Sequence, residues 1–330
     1  MTPDHPKINY GKTGILIINL GTPDSTSWLD IRKYLKEFLS DKRVIEVNPL
    51  IWQVILNLFI LTFRPSKTAK AYKEIWMNDK NMSPLRYYTE NQAKKLSEKI
   101  GNEEIIIDFA MRYGNPSINS KIHQLQKQGC EKLIILPLYP QYAAATTATV
   151  CDEVYRTLMK MRWQPSLKII PHYESEPLYI EAIKNSIEKK INEISWKPDL
   201  IVASYHGIPK KYFEKGDPYH CYCHKTTRLI SEKYLDIKII TTFQSRFGPQ
   251  EWLQPYTDKT FENLPKEGKK NILVICPGFS SDCVETLEEI SIQGKESFIK
   301  SGGENFDMVP CLNDSDDHIM LFKHLVMKNI

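Results

Sequence analysis

The sequence predicts an α/β fold: two similar half-domains, each a four-stranded parallel sheet flanked by helices, with an active-site cleft between them. Three observations lead there. Short, nearly continuous apolar runs rich in β-branched residues recur along the chain, as strands buried on both faces require. Helical periodicity fills the intervals, and alternation of strand with helix marks βαβ units. The runs divide four and four, and two stretches share one plan: 133–154 and 272–290 each read strand, proline (Pro137, Pro277), loop, helix.

In order, the runs of the first half are 14–19 (GILIIN), 104–109 (EIIIDF), 132–138 (KLIILPL) and 167–170 (LKII). Those of the second are 199–204 (DLIVAS), 237–241 (IKIIT), 271–276 (NILVIC) and 306–309 (FDMV). Trp28, Ile31, Leu35 and Phe38 repeat with a helical period, as do Val150, Val154, Leu158 and Met161, and then Ile183, Ile187, Ile191 and Ile194. The halves divide near 171–177, giving 1–170 and 171–313. A last helix at about 314–330 is expected to pack back on the first half.

Composition excludes several classes. The 330 residues allow about two domains at ~150 residues each. Hydrophobic residues make 42% and charged residues 25%, ordinary globular usage rather than that of a disordered, collagen-like or coiled-coil chain. Lys plus Arg is 44 against 40 Asp plus Glu, a net charge of +4 without a concentrated basic stripe, so no nucleic-acid partner is expected. Seven cysteines, an odd number in a long chain, do not read as a disulfide framework. Residues 1–14 hold no apolar signal-peptide core, so the cytoplasm is the expected location. The most apolar segment, 50–63, would rise only about 21 Å as a helix, against a hydrocarbon core of ~30 Å, and Gln53 and Asn57 interrupt it. It reads as a buried helix or as an apolar lip beside a greasy ligand, in peripheral contact with a membrane surface.

Several familiar motifs are missing. Gly11-Lys12-Thr13 lacks the upstream glycine of a phosphate loop and precedes a strand. No run carries a GxGxxG turn, and neither HExxH nor GxSxG occurs. Cys221-Tyr222-Cys223, flanked by His220 and His224, has the most metal-like spacing. A zinc site takes paired ligands from two places, however, and the second pair is missing, so this reads as a surface loop with two free thiols.

Open α/β sheets bind ligands at the carboxyl ends of their strands. His206 follows the run 199–204, and Gly207 after it permits unusual backbone geometry, which suits a proton acceptor or a transient metal ligand. A structural histidine fits equally well. After the run 271–276, Glu285 and Glu289 fall four apart on one helix face. Asp282 with Glu285 resembles a capping box, the plain reading of these acids; two aligned carboxylates would also pass divalent cations along. Arg112-Tyr113 follows the run 104–109, where an arginine binds a carboxylate ligand or salt-bridges the fold.

These segments together resemble the ferrochelatases in their bacterial form, from about Gly14 to the C-terminus. The markers are Ile18-Asn19-Leu20-Gly21-Thr22-Pro23, Met82-Ser83-Pro84-Leu85, Met111-Arg112-Tyr113-Gly114-Asn115-Pro116, Leu138-Tyr139-Pro140-Gln141-Tyr142, Ser204-Tyr205-His206-Gly207-Ile208-Pro209, Gly248-Pro249 with Trp252, and the run from Gly278 to Leu287 (GFSSDCVETL). Their order and spacing are specific over the whole chain. The resemblance implies two Rossmann-like half-domains without a nucleotide. It implies insertion of ferrous iron into protoporphyrin IX, releasing two protons, with His206 and Glu285 catalytic and Glu289 joining them at the metal. Asn19, Leu20, Ser83, Arg112, Tyr113, Tyr142, Trp252 and Phe279 are then the expected porphyrin-binding residues. No organic cofactor is implied; Fe2+ is substrate.

Three departures qualify this. Cys283 stands where some relatives have a second histidine, and Gln293 where a further acid extends the ladder. No cysteine follows Cys311, so an iron–sulfur cluster is not expected. The alternatives are a chelatase for another tetrapyrrole such as coproporphyrin, a non-catalytic porphyrin or haem carrier, and a nucleotide-sugar transferase, which would need the phosphate loop that is missing.

Overall fold

The computed structural model describes residues 11–233 and 236–330. Residues 1–10, most of the N-terminal stretch that carries no signal-peptide core, lie outside them. The strands are β1 Lys12–Thr22, β2 Ile105–Gly114, β3 Cys130–Pro137, β4 Ser166–Ile169, β5 Leu200–His206, β6 Ile239–Gln244, β7 Asn271–Ile275 and β8 Asn305–Met308. They form two four-stranded sheets, ordered β2-β1-β3-β4 and β6-β5-β7-β8, with parallel pairing throughout. Each predicted run is a strand. The two orders are the same winding: the first strand of each half is central, its successor lies on one side, and the next two lie on the other. The winding therefore reverses beside β1 and beside β5, and such switch points are where open α/β sheets bind ligands.

The central strands read as continuous apolar runs because helices cover both faces: Ile15, Leu16, Ile17 and Ile18 in β1 and Ile201, Val202 and Ala203 in β5 are fully buried. The largest apolar cluster spans both sheets, from Ile15 and Ile134 in the first to Ile201 and Leu273 in the second. Ile183 and Ile187 of the helix Pro177–Glu193 and Phe322 and Leu325 of the helix Asp316–Met327 belong to it. The C-terminal helix packs against the helix Pro84–Ile100 of the first half and also against Pro177–Glu193.

Three local expectations are corrected. The Cys221-Tyr222-Cys223 segment is not a loop but part of the helix Tyr219–Ser231, with Cys221 exposed and Cys223 buried. At 282–286 the cap is formed by Cys283 and Thr286, not Asp282 and Glu285: the Cys283 N–H donates to Thr286 Oγ1 at 3.0 Å. Asp282 instead accepts from Asn313 Nδ2 at 2.7 Å, tying the loop to the C-terminal segment. Gly207 has no left-handed backbone; it is needed for space, because a Cβ there would stand 2.9 Å from the Gln244 carbonyl oxygen and 3.2 Å from the Trp252 ring. Gly21 does need its φ of +114°, and a Cβ there would stand 1.8 Å from the Tyr113 carbonyl oxygen.

Candidate active site

The carboxyl ends of β1, β3, β5, β6 and β7 open into one cleft of about 1670 Å3. That exceeds the ~300–1,000 Å3 usual for small-molecule sites. One wall comes from the helical segment 49–75, which is α-helical over Pro49–Ile55 and Leu61–Ile75 with a π-helical stretch at Leu56–Ile60 between. Packed against it, the π-helix Val284–Gly294 adds a second stretch of the lining. π-Helical turns are rare and gather at functional sites.

His206 ends β5, half-buried in the cleft. Its Nδ1 lies 2.7 Å from the carbonyl oxygen of Gly207. A carbonyl only accepts, so Nδ1 carries a proton, and in the neutral ring Nε2 is the nitrogen with the free lone pair. Glu285 and Glu289 enter from the π-helix. The Glu289 carboxylate accepts from the Ser245 N–H at 2.7 Å and from Ser245 Oγ at 2.5 Å. Burial pushes the Glu289 carboxyl above its ordinary range, and the Ser245 bonds and the nearby His206 oppose that without cancelling it. Buried Gln244, at the end of β6, donates from Nε2 to the Glu285 carbonyl at 2.7 Å, and its Oε1 accepts from Ser204 Oγ at 2.7 Å. The end of β5 is thereby linked to the first turn of the acidic helix.

Of the residues expected at the porphyrin, Asn19, Leu20, Trp252 and Phe279 line this cleft with His206, Glu285 and Glu289. Ser83, Arg112, Tyr113 and Tyr142 do not line it. Ser83 is buried as the N-cap of Pro84–Ile100, its Oγ accepting from the Arg86 N–H at 3.2 Å. Arg112 and Tyr113 both bond Asp41 Oδ2, at 2.5 and 2.9 Å, and Arg112 Nε also donates to the Thr149 carbonyl at 2.9 Å. The ion pair closes within the first half rather than facing a ligand. Tyr142 is half-buried, with Arg43 and Asp217 near it.

Sequence reasoning missed other lining residues. Tyr34, Tyr72 and Phe247 face the cleft, with Arg64 from the 49–75 wall. Arg64 packs over the Phe247 ring at 4.5 Å, and its Nη1 is buried without a hydrogen-bond partner among the described residues. Glu288 and Glu296 lie on either side of Gln293 in this wall, and Gln293 donates to Glu288. The signal for Ser245 was its place after a predicted strand; nothing in the sequence ties it to Glu289, 44 residues on.

Comparison with known proteins gives the family. The ferrochelatase family model matches residues 12–330. A ferrochelatase of Allorhizobium ampelinum is 55% identical over 99% of this chain and 96% of its own length. One of Rhizobium meliloti is 54% identical over 99% and 97%. A third, of Francisella tularensis subsp. novicida, is 52% identical over 97% of each. Among solved structures, SirB from Bacillus subtilis with Fe3+ superposes with a TM-score of 0.58 at 13% identity, covering 96% of this chain and 95% of that one. A cobalt complex of the sirohydrochlorin chelatase SirB from Bacillus subtilis subspecies spizizenii gives 0.58 at 9% identity, covering 96% and 94%. At such identities these two carry the fold alone.

Proposed function

The chain belongs to the ferrochelatase family, a metal chelatase of the lyase class acting in haem synthesis, and from that premise we propose that its substrates are Fe2+ and protoporphyrin IX. One observation supports the reading most: an imidazole on β5, its Nδ1 held by a backbone carbonyl, and two carboxyl groups on a π-helix meet in a single large, mostly apolar cleft. His206 Nε2 takes a pyrrole proton, and Glu285 and Glu289 hold iron weakly or carry protons away. Two protons leave as the dication enters, so charge on the macrocycle is conserved. A cleft that grips a bent ring better than a flat one exposes the pyrrole nitrogens and lowers the barrier by differential binding. Imidazole and carboxylate release Fe2+ more readily than thiolates would. The unpartnered nitrogen of Arg64 is a place for an anionic substituent at the edge of the ring.

The reading requires no organic cofactor and no iron–sulfur cluster. It places the enzyme in the cytoplasm, with the exposed apolar residues of segment 49–75 against the cytoplasmic membrane face. No helix among the described residues is long and apolar enough to cross a membrane. The test is anaerobic insertion of Fe2+, with Zn2+ in parallel, into protoporphyrin IX and coproporphyrin, followed in the visible spectrum. His206→Ala and Glu285→Gln should abolish insertion while porphyrin binding persists. Wild-type protein that binds porphyrin without inserting metal would be a carrier, and preference for coproporphyrin would change the substrate.

A further inference from the structure

His220 and His224 stand four residues apart on the helix Tyr219–Ser231, which puts both imidazoles on one face. Their ring centroids are 4.4 Å apart, with the planes at 50°. His220 is held between Phe213 and Phe243, at centroid distances of 5.0 and 5.8 Å. Elsewhere in the molecule His172, His206 and His318 each commit a ring nitrogen, to Glu174, the Gly207 carbonyl and the Asn313 carbonyl respectively. Among the described residues neither ring of the 220/224 pair has a hydrogen-bond partner. None of Phe213, His220 and His224 lines the cleft.

The spacing is compatible with two ligands at a right angle, each ring turning one nitrogen to a common ion. A metal–nitrogen bond of about 2.0–2.1 Å puts each imidazole centroid about 3.2 Å from the ion, so two rings at 90° stand about 4.5 Å apart and two at a tetrahedral angle about 5.2 Å. The observed 4.4 Å matches the first. Right-angle donors belong to square-planar or octahedral ions. Partial desolvation lowers the basicity of both rings, half-buried His220 and more exposed His224, and the nearby helix start works in the same direction, which favours the neutral, ligating form.

We propose that His220 and His224 form a two-imidazole site for a divalent transition-metal ion of Ni2+ or Cu2+ type, separate from the cleft. Water completes the coordination: among the described residues no group of three or more His, Cys, Asp and Glu side chains is arranged to hold a metal. With two protein ligands and a helix start opposing a cation, the site is weak and exchangeable. By the usual order of affinities it takes Cu2+ and Ni2+ ahead of Fe2+.

The experiment is calorimetric titration of the full-length, untagged protein with Ni2+, which spares the thiols the oxidation that Cu2+ would bring. Wild type is compared with His220→Gln, His224→Gln and Cys221→Ser. The wild type and the Cys221→Ser protein should bind a Ni2+ that each histidine variant loses. All variants should keep wild-type thermal unfolding and wild-type Zn2+ insertion into porphyrin. Ni2+ isotherms unchanged in both histidine variants would overturn the site. Equal loss in Cys221→Ser would replace it with a thiol site. Loss of insertion in the histidine variants would overturn its separation from the cleft. Because the readout is Ni2+ binding, failure here is distinguishable from failure of the proposed porphyrin reaction.

Discussion

Ser245 sits in the left-handed region, at φ 64°, where a residue with a side chain is strained. That backbone turns both its N–H and its hydroxyl onto the Glu289 carboxylate. Both bonds stabilise the ionised form, while burial opposes it. Ser245→Ala removes the hydroxyl and keeps the N–H, so the Glu289 pKa should rise further. If ionised Glu289 is the working form, the acid limb of the kcat profile moves to higher pH and the plateau activity is retained. A profile that keeps its position in Ser245→Ala, measured by Zn2+ insertion between pH 5 and 9, would remove Glu289 from the rate-determining step. At this scale the sequence was informative about which residues meet in the cleft: His206 by its place at a strand end, Glu285 and Glu289 by their four-residue spacing on the helix after another strand. Arg112 and Tyr113 were equally suggestive but are spent on Asp41, a partner about 70 residues away that local spacing cannot reveal. Ser83 was expected at the ligand only through the family resemblance, and the structure uses it as an N-cap.

Within the helical segment 49–75 the apolar stretch 50–63 was legible as an element, but neither its continuation to Ile75 nor its orientation was. Apolar character alone does not distinguish a helix buried in the core from one held out over a cleft. The structure turns Leu56 and Leu61 inward and leaves Leu50, Leu58 and Phe63 exposed at 82%, 63% and 73%. Phe59, Ile60 and Phe63 also line the cleft, so one element presents apolar side chains both to the ligand space and to solvent. Singly exposed apolar residues are unremarkable, but a contiguous group on one helix marks an interaction surface. Each leucine buried in an interface contributes about 1.5–3 kcal/mol, enough for reversible docking when several act together. Leu50→Glu with Leu58→Glu should therefore reduce co-sedimentation with anionic phospholipid vesicles severalfold. Insertion with detergent-dispersed porphyrin should stay near wild type, because neither leucine lines the cleft. Vesicle binding equal to wild type would limit the segment to a role at the substrate. The π-helical geometry of Leu56–Ile60 and Val284–Gly294 had no sequence signal: a period of 3.6 residues and a slightly wider one are indistinguishable over so few residues.

At the scale of the whole molecule, the repeated winding was legible because each half follows the same apolar plan, and the shared core was not. Pattern gives the faces of each element, whereas the joining of two sheets depends on helices that approach from distant parts of the chain. The C-terminal helix makes such a joint, and His318 in its first turn is 1% exposed, with Nδ1 2.7 Å from the Asn313 carbonyl oxygen. Asn313 in turn holds Asp282 at the mouth of the acidic helix and, through its carbonyl, Gln92 of Pro84–Ile100 at 2.8 Å. Burial depresses the His318 pKa from 6.5 to about 4, so the folded state disfavours the proton that the unfolded chain accepts. The sign follows from linkage: stability from this group is fully present above pH 6.5 and is lost progressively as pH falls from there towards 4. Between pH 7 and pH 5 the loss is about 2 kcal/mol, taking about 1.4 kcal/mol per pKa unit. Urea unfolding at the two pH values should show that difference in the wild type. His318→Leu removes both the hydrogen bond and the titration, so it should lower stability at pH 7 but flatten the dependence over this window. An equally steep dependence in His318→Leu would assign the acid sensitivity to other groups. The first structure to loosen at low pH should then be the joint between the halves, seen as earlier hydrogen exchange in 316–327 and 84–100 than in the central strands, since those helices share the contact that His318 anchors.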